Sequence, residues 1–168
     1  SVVHTVLGKL EEQGLVKAVI TQNIDLLHSR GGSKNIIEIH GSPRIHSCPA
    51  CRRSSMEFDE AARIVQKGEL PRCGKCGAVL KPEITFFGEN LPVHALARAE
   101  KEAKTADLML ILGTSLTVFP AAGLPQITLR QGGKLVIVND METPLDSFSA
   151  LCFKDLAVVF EGILTLIG

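Results

Sequence analysis

Two Cys-x-x-Cys pairs, Cys48-Pro49-Ala50-Cys51 and Cys73-Gly74-Lys75-Cys76, constrain this 168-residue chain more than any other feature. They are separated by 21 residues inside a sequence that otherwise reads as α/β. Each such turn presents two sulfurs to one ion, so four thiolates paired this way match a tetrahedral structural Zn²⁺ site. Gly74 and Gly77 fit that reading, because the knuckles need tight turns whose backbone can approach the sulfurs. Two disulfides or four unrelated buried thiols are the alternatives. With no secretory signal in the sequence, zinc is the preferred one. A full Cys₄ shell leaves no open coordination position, so the ion would staple a fold and perform no chemistry. The reacting groups must lie elsewhere.

The length suits one buried core plus a small appended module. Eighteen basic residues balance 18 acidic ones, which argues against broad electrostatic binding to nucleic acid or to anionic lipid. No apolar run reaches the ~18 residues needed to span a bilayer; the longest, Leu108 to Leu112, is the size of a buried strand. Of five cysteines, four are committed to metal, which suits a reducing compartment and a cytoplasmic protein. Cys152 is left over and reads as a small core residue. Tryptophan and tyrosine are absent, which disfavours an aromatic platform for single-stranded nucleic acid. The first residue is Ser1, and the last helical pattern stops at Gly168. Both ends read as cut, with part of a ligand site expected outside the chain.

Four short apolar runs read as strands buried on both faces of a parallel sheet: Val16 to Thr21, Leu108 to Leu112, Leu135 to Asn139, and Ala157 to Phe160. Helical patterns alternate with them. Val2, Val3, Val6, Leu7 and Leu10 make one apolar face, with Gly14 as a stop. Pro92 sits at the first turn of a second helix, which continues through Leu96, Ala99 and Ala103 towards Lys104. A third lies between Ala121 and Gln131, ended by Gly132-Gly133. Strand and helix in alternation imply a doubly wound, Rossmann-like sheet with right-handed crossovers, and ligands at the carboxyl ends of its strands. The stretch 47–80 interrupts that rhythm. It reads as an inserted zinc-ribbon module with one short helix from Asp59, as cap, through Gln66, closed by Gly68. The α/β domain then comprises 1–46 and 81–168.

The first three strand ends carry polar or small residues: Thr21-Gln22-Asn23-Ile24-Asp25, Gly113-Thr114-Ser115 and Asn139-Asp140. Backbone amides and hydroxyls hold phosphate, and side-chain acceptors hold ribose, so a dinucleotide site needs such residues there. Any one of them alone is explained by helix capping; three at equivalent positions favour a ligand. His40 lies in Glu38-Ile39-His40-Gly41-Ser42, after an Ile-rich extended run. An unperturbed imidazole, with a pKa of about 6.5, suits general acid–base work. His4, His46 and His94 read as structural or exposed, and His28 as a helix-face contact.

Taken in order, TQNID…LH, EIHG, the paired CxxC knuckles, KPEITFFGENLP, GTSLTVFPAAGLP and KLVIVN resemble the sirtuin family of NAD-dependent protein lysine deacylases, in particular its bacterial and archaeal members. The resemblance runs over residues 1–160. It implies that NAD is a consumed co-substrate and acyl-lysine proteins or peptides are the partners. In the implied reaction the acyl oxygen attacks the nicotinamide ribose as nicotinamide leaves, and O-acyl-ADP-ribose and free lysine are released. Asn23 would hold the ribose and an ordered water, while Ile24 and Asp25 would enclose the carboxamide, with Gln22 completing the motif. His40 matches the general base. Gly113, Thr114 and Ser115 match the turn near the phosphates, Asn139 the ribose contact of adenosine, and Lys154-Asp155-Leu156 the segment passing the adenine. Phe87, Gly88 and Glu89, together with the loop that includes Leu116 and Val118, match the two edges between which the acyl-lysine peptide lies as an added strand.

The family also has a Gly-rich strand-to-helix turn followed by Asp-Phe-Arg, and neither occurs here. The expected sheet is therefore incomplete, lacking its first strand, and the chain alone should bind NAD weakly or not at all. Micromolar affinity by calorimetric titration would refute that. Leu26 stands where glycine is frequent in the family and Gly31 where alanine is frequent. The sequence leaves two other readings open: a mono-ADP-ribosyltransferase within the same family, and a non-catalytic zinc-containing binding module.

Overall fold

The computed structural model describes residues 1–86 and 88–167. In chain order the elements are α1 (Val2–Glu12), β1 (Val19–Thr21), α2 (Leu27–Arg30), β2 (Ile36–Glu38), β3 (Gly41–Ser47), β4 (Ser55–Glu57) and α3 (Phe58–Gln66), followed by β5 (Lys81–Ile84), α4 (Val93–Thr105), β6 (Leu108–Leu112), α5 (Leu124–Arg130), β7 (Lys134–Val138), β8 (Leu151–Phe153) and α6 (Leu156–Ile167). They fall into two compact units, one of Ser1–Ile39 with Val93–Gly168 and one of His40–Pro92.

The larger unit is a mixed α/β body whose strands all run parallel. β1 pairs with β2, and β6, β7 and β8 form a second sheet in that order. Among the described residues no strand pairs with the other edge of β1 or of β6. Two apolar layers cover these strands. Ala99 and Ala103 of α4 are wholly buried against Ile37 and Ile39, in a cluster that also takes in Ile20 and Met109. Thr128 of α5 is equally buried and donates its hydroxyl to the Ala103 carbonyl at 2.7 Å, tying α5 to α4. In the other layer Val6, Leu7 and Leu10 of α1 pack on Phe160 of α6, as their helical spacing dictates. Each large side chain buried there contributes roughly 1.5–3 kcal/mol.

Two expectations fail in this unit. Ala157 to Phe160 is not a strand but the first turns of α6. Asp155 Oδ1 accepts the Ala157 and Val158 amides at 2.8 and 3.1 Å, which starts a helix there. Leu156, Val159, Phe160, Ile163, Leu164 and Ile167 then recur at helical spacing and all join the α1 cluster. The third strand of that sheet is instead β8, whose three residues are all exposed. Cys152 sits on it, so it is an exposed thiol and not a core residue.

The smaller unit is an antiparallel sheet in the order β4-β3-β5, with α3 packed beside it. Glu57, not Asp59, is the N-cap of α3; Asp59 lies within the first turn, where its charge favours the helix dipole. The buried centre is small, formed by Cys48, Cys73 and Leu80 with Met56 and Ala78 packed against them. So little apolar burial cannot by itself hold a unit of this size, and a cross-link or an ion is needed.

Candidate functional site

Every polar segment singled out in the larger unit follows the carboxyl end of a parallel strand. β6, β7 and β8 end in register, with Leu112 opposite Val138 and Val138 opposite Phe153. Gly113, Asn139 and Lys154 therefore continue three neighbouring strands in one row. Gly113 donates its amide to the Val138 carbonyl at 3.0 Å and has φ +57°, a backbone state that glycine adopts without strain. Thr114 Oγ1 accepts the Leu116 amide at 3.3 Å, and the Ser115 and Thr117 hydroxyls lie 2.8 Å apart. Asn139 is buried, with its Nδ2 donating to the Met141 carbonyl at 2.8 Å. Asp155 is committed to capping α6.

The turn after β1 is built by its own side chains. Thr21 Oγ1 accepts the Asn23 amide at 3.1 Å, and Asp25 Oδ1 accepts the Leu27 amide at 2.9 Å. Two Asx/ST-type bonds thus fix the loop that presents Asn23, Ile24 and Asp25, all exposed. Thr21, Asn23, Asp25, Leu26, His28 and Glu38 line a shallow open hollow there. Thr21 heads the polar run expected at this strand end, and although no ligand role is expected of it, its hydroxyl holds the loop. His28 Nδ1 is buried without a hydrogen-bond partner, and its ring packs 4.6 Å from that of His4. Burial lowers the pKa of His28, the neighbouring His4 lowers it further, and Asp25 opposes both.

Both departures at this loop have a physical basis. Leu26 has φ +61° and ψ +16°, a left-handed state that suits glycine and costs a leucine roughly 1–2 kcal/mol. A Cβ at Gly31 would stand 2.6 Å from the His4 carbonyl oxygen, and one at Gly8 would stand 2.5 Å from the Gly31 oxygen. The backbones of α1 and α2 meet there so closely that alanine is excluded.

His40 belongs to the smaller unit. It follows Ile39 directly, and its carbonyl accepts the Thr85 amide at 2.8 Å, which fixes its backbone at the start of β3. Gly41 has φ +77°, and a Cβ there would collide with the Glu83 carbonyl. Glu89 forms an ion pair with Lys81 at 2.6 Å and accepts the Phe86 amide at 2.9 Å; these two contacts hold its carboxyl below the usual carboxylate range. Gly88 has φ +87°. Leu116 is buried at φ +54°, whereas Val118 is exposed. Phe87 lies outside the described residues.

The four knuckle cysteines come together. Cys48 and Cys76 sulfurs are 3.5 Å apart, Cys51 and Cys48 also 3.5 Å, and Cys51 and Cys73 3.6 Å. All four lie within 4.8 Å of one another. A tetrahedron with Zn–S of about 2.3 Å has sulfurs about 3.8 Å apart, so one ion fits. Backbone amides point at the opening cysteine of each knuckle, from Cys51 to Cys48 Sγ and from Lys75 to Cys73 Sγ, both at 3.4 Å. The Lys75 amide and the surrounding donors pull Cys73 down to about 6. At Cys76 the Ala78 amide acts to lower the pKa, but the three neighbouring sulfurs outweigh it and push it up to about 12.

The molecule is thus a parallel α/β scaffold with polar loops at its strand ends and an insert that gathers four cysteine sulfurs. The chain belongs to the Sir2 family, whose model matches residues 1–120. A Thermotoga maritima protein named NAD-dependent protein deacetylase is 47% identical over 157 residues, spanning 94% of this chain and 63% of that one. A Sulfolobus acidocaldarius protein of the same name is 48% identical over 158 residues, spanning 94% and 61%. The chain thus spans about three fifths of the length of these relatives. Among solved structures, a Sir2 complex with a p53 peptide and NAD⁺ superimposes with a TM-score of 0.92 at 44% identity, covering 99% of this chain and 69% of that one. Sir2Tm bound to a propionylated peptide gives 0.92 and 44%, covering 99% and 70%. No helix among the described residues is long and apolar enough to cross a membrane.

Proposed function

We propose that this chain carries the catalytic region of an NAD-dependent protein lysine deacylase, cytoplasmic and acting on acyl-lysine proteins or peptides. The observation that carries the proposal is the Thr21–Asp25 turn: Thr21 Oγ1 accepts the Asn23 amide and Asp25 Oδ1 the Leu27 amide, which pre-sets Asn23 and Asp25 at a strand end. In this reading Asn23 orients the nicotinamide ribose and a water, with Gln22 beside it. Ile24 supplies an apolar wall, and Asp25 accepts the carboxamide N–H. His40 takes a proton from a ribose hydroxyl. Gly113, Thr114 and Ser115 lie along the phosphates. Asn139, with Nδ2 already donating, offers Oδ1 to the adenosine ribose. Because the Asp155 carboxylate caps α6, its backbone and not its charge would pass the adenine. Gly88, Glu89, Leu116 and Val118 would meet the peptide, with Phe87 beside them.

NAD supplies the ADP-ribose acceptor for the acyl group, and the amide oxygen is so weak a nucleophile that positioning must provide most of the rate. Zinc, held by Cys48, Cys51, Cys73 and Cys76 within a module at 47–80, supplies structure only, its shell being full.

The test follows the acyl group. With this chain extended to its relatives' length, acetyl-lysine peptide and NAD should yield free lysine, nicotinamide and O-acetyl-ADP-ribose in equal amounts. Changing His40→Ala should slow this about 10²- to 10⁴-fold while zinc content stays unchanged. ADP-ribose attached to protein with the acyl-lysine intact would overturn the proposal.

A further inference from the structure

The four cysteines of the centre differ in exposure. Cys48 and Cys73 are 1% and 3% exposed, Cys51 is intermediate, and Cys76 alone is exposed. The two buried sulfurs are also those that receive the Cys51 and Lys75 amides, so each is shielded by its own turn. Around Cys76 the chain is open. Residues 74–77 are all exposed, and a Cβ built on Gly74 or Gly77, on either side of it, would meet nothing within 4 Å. Cys76 is therefore the ligand residue most open to a reagent, in a turn with free space beside Gly74 and Gly77.

We infer that Cys76 is the modification site of the centre: the sulfur at which soft carbon electrophiles of the α,β-unsaturated carbonyl class attack, and the ligand whose loss releases the ion. The inference rests on the zinc reading above. In the step itself, the sulfur forms a bond to the electrophile's β-carbon, the α-carbon takes a proton from water, and the bond from sulfur to the ion breaks. The thioether that results is neutral and a poor ligand, so three thiolates remain where four had closed the shell. Cys152 is a built-in reference. It is exposed, with Sγ 2.9 Å from Ser149 Oγ, and belongs to the other unit, so its labelling should not depend on metal.

The experiment treats the zinc-loaded chain with substoichiometric N-ethylmaleimide, maps adducts by peptide mass spectrometry over time, and follows released zinc with a chromogenic chelator. Cys152 should label with and without zinc. Among the four ligands Cys76 should label at least ~10-fold faster than Cys48 or Cys73, with zinc appearing in step with its adduct. The Cys152→Ser variant, which no longer consumes the limiting reagent, should release zinc at least as fast. Adducts on Cys48 or Cys73 as early as on Cys76, or zinc release that tracks Cys152, would overturn the inference. A chain that takes up no zinc at all would instead overturn the metal reading, and this inference with it.

Discussion

In the His40–Pro92 unit the four ligands come from two tight turns, each supplying two sulfurs through local backbone geometry. In the larger unit the polar residues come from the ends of several strands, and register aligns those that follow β6, β7 and β8. The first site is closed within a small sheet and has little apolar core to support it. The second is an open rim on a body with two covering layers of helices. The smaller unit should therefore depend on its site for stability, whereas the larger one has a core of its own to support its rim. Structural zinc contributes ~10–16 kcal/mol in comparably small metal modules, far beyond any other single term here.

The largest effect should accordingly follow metal removal. Chelation, or Cys48→Ser, should abolish amide protection in β3, β4 and β5 while β6 and β7 keep theirs, as hydrogen exchange would show. Equal loss in both units would break the contrast. In the larger unit the expected effects are smaller and come from backbone fit. Gly31→Ala pushes a methyl into the His4 backbone and should cost about 1–3 kcal/mol by urea denaturation. Leu26→Gly relieves a left-handed leucine and should stabilise by up to ~1 kcal/mol, against the entropy a new glycine loses on folding. A destabilised variant would mean that packing of the half-buried Leu26 outweighs its strain.

The smallest effect is a pH dependence. Burial depresses His28 in the folded state, with His4 reinforcing and Asp25 opposing. Below the ordinary pKa of about 6.5 the unfolded chain then binds a proton that the folded chain refuses. Stability should be full above that value and fall as pH drops through it, and His28→Gln should flatten the curve in urea titrations at several pH values.

How much was legible in the sequence follows the same division. The cysteine centre could be read from spacing, because two short turns determine it. So could α1, α4 and α5, whose apolar positions match the faces they bury. What escaped was decided by tertiary context. Ala157 to Phe160 is β-branched and apolar enough for a strand, yet Asp155 and the α1 cluster make it helical. β8 carries no sequence signal, since its exposed residues form a strand only because β7 offers an edge. Cys152 followed it to the surface. Leu26 and Gly31 could be noticed as departures, but only the contact between α1 and α2 gives them a cause.

X-ray absorption at the zinc K-edge on the metal-loaded chain tests most directly whether the ion is architectural and stands apart from the reacting groups. An architectural ion should show four sulfurs at about 2.3 Å and no lighter ligand. A nitrogen or oxygen in the first shell would mean an open or histidine-bearing metal, and would contradict it.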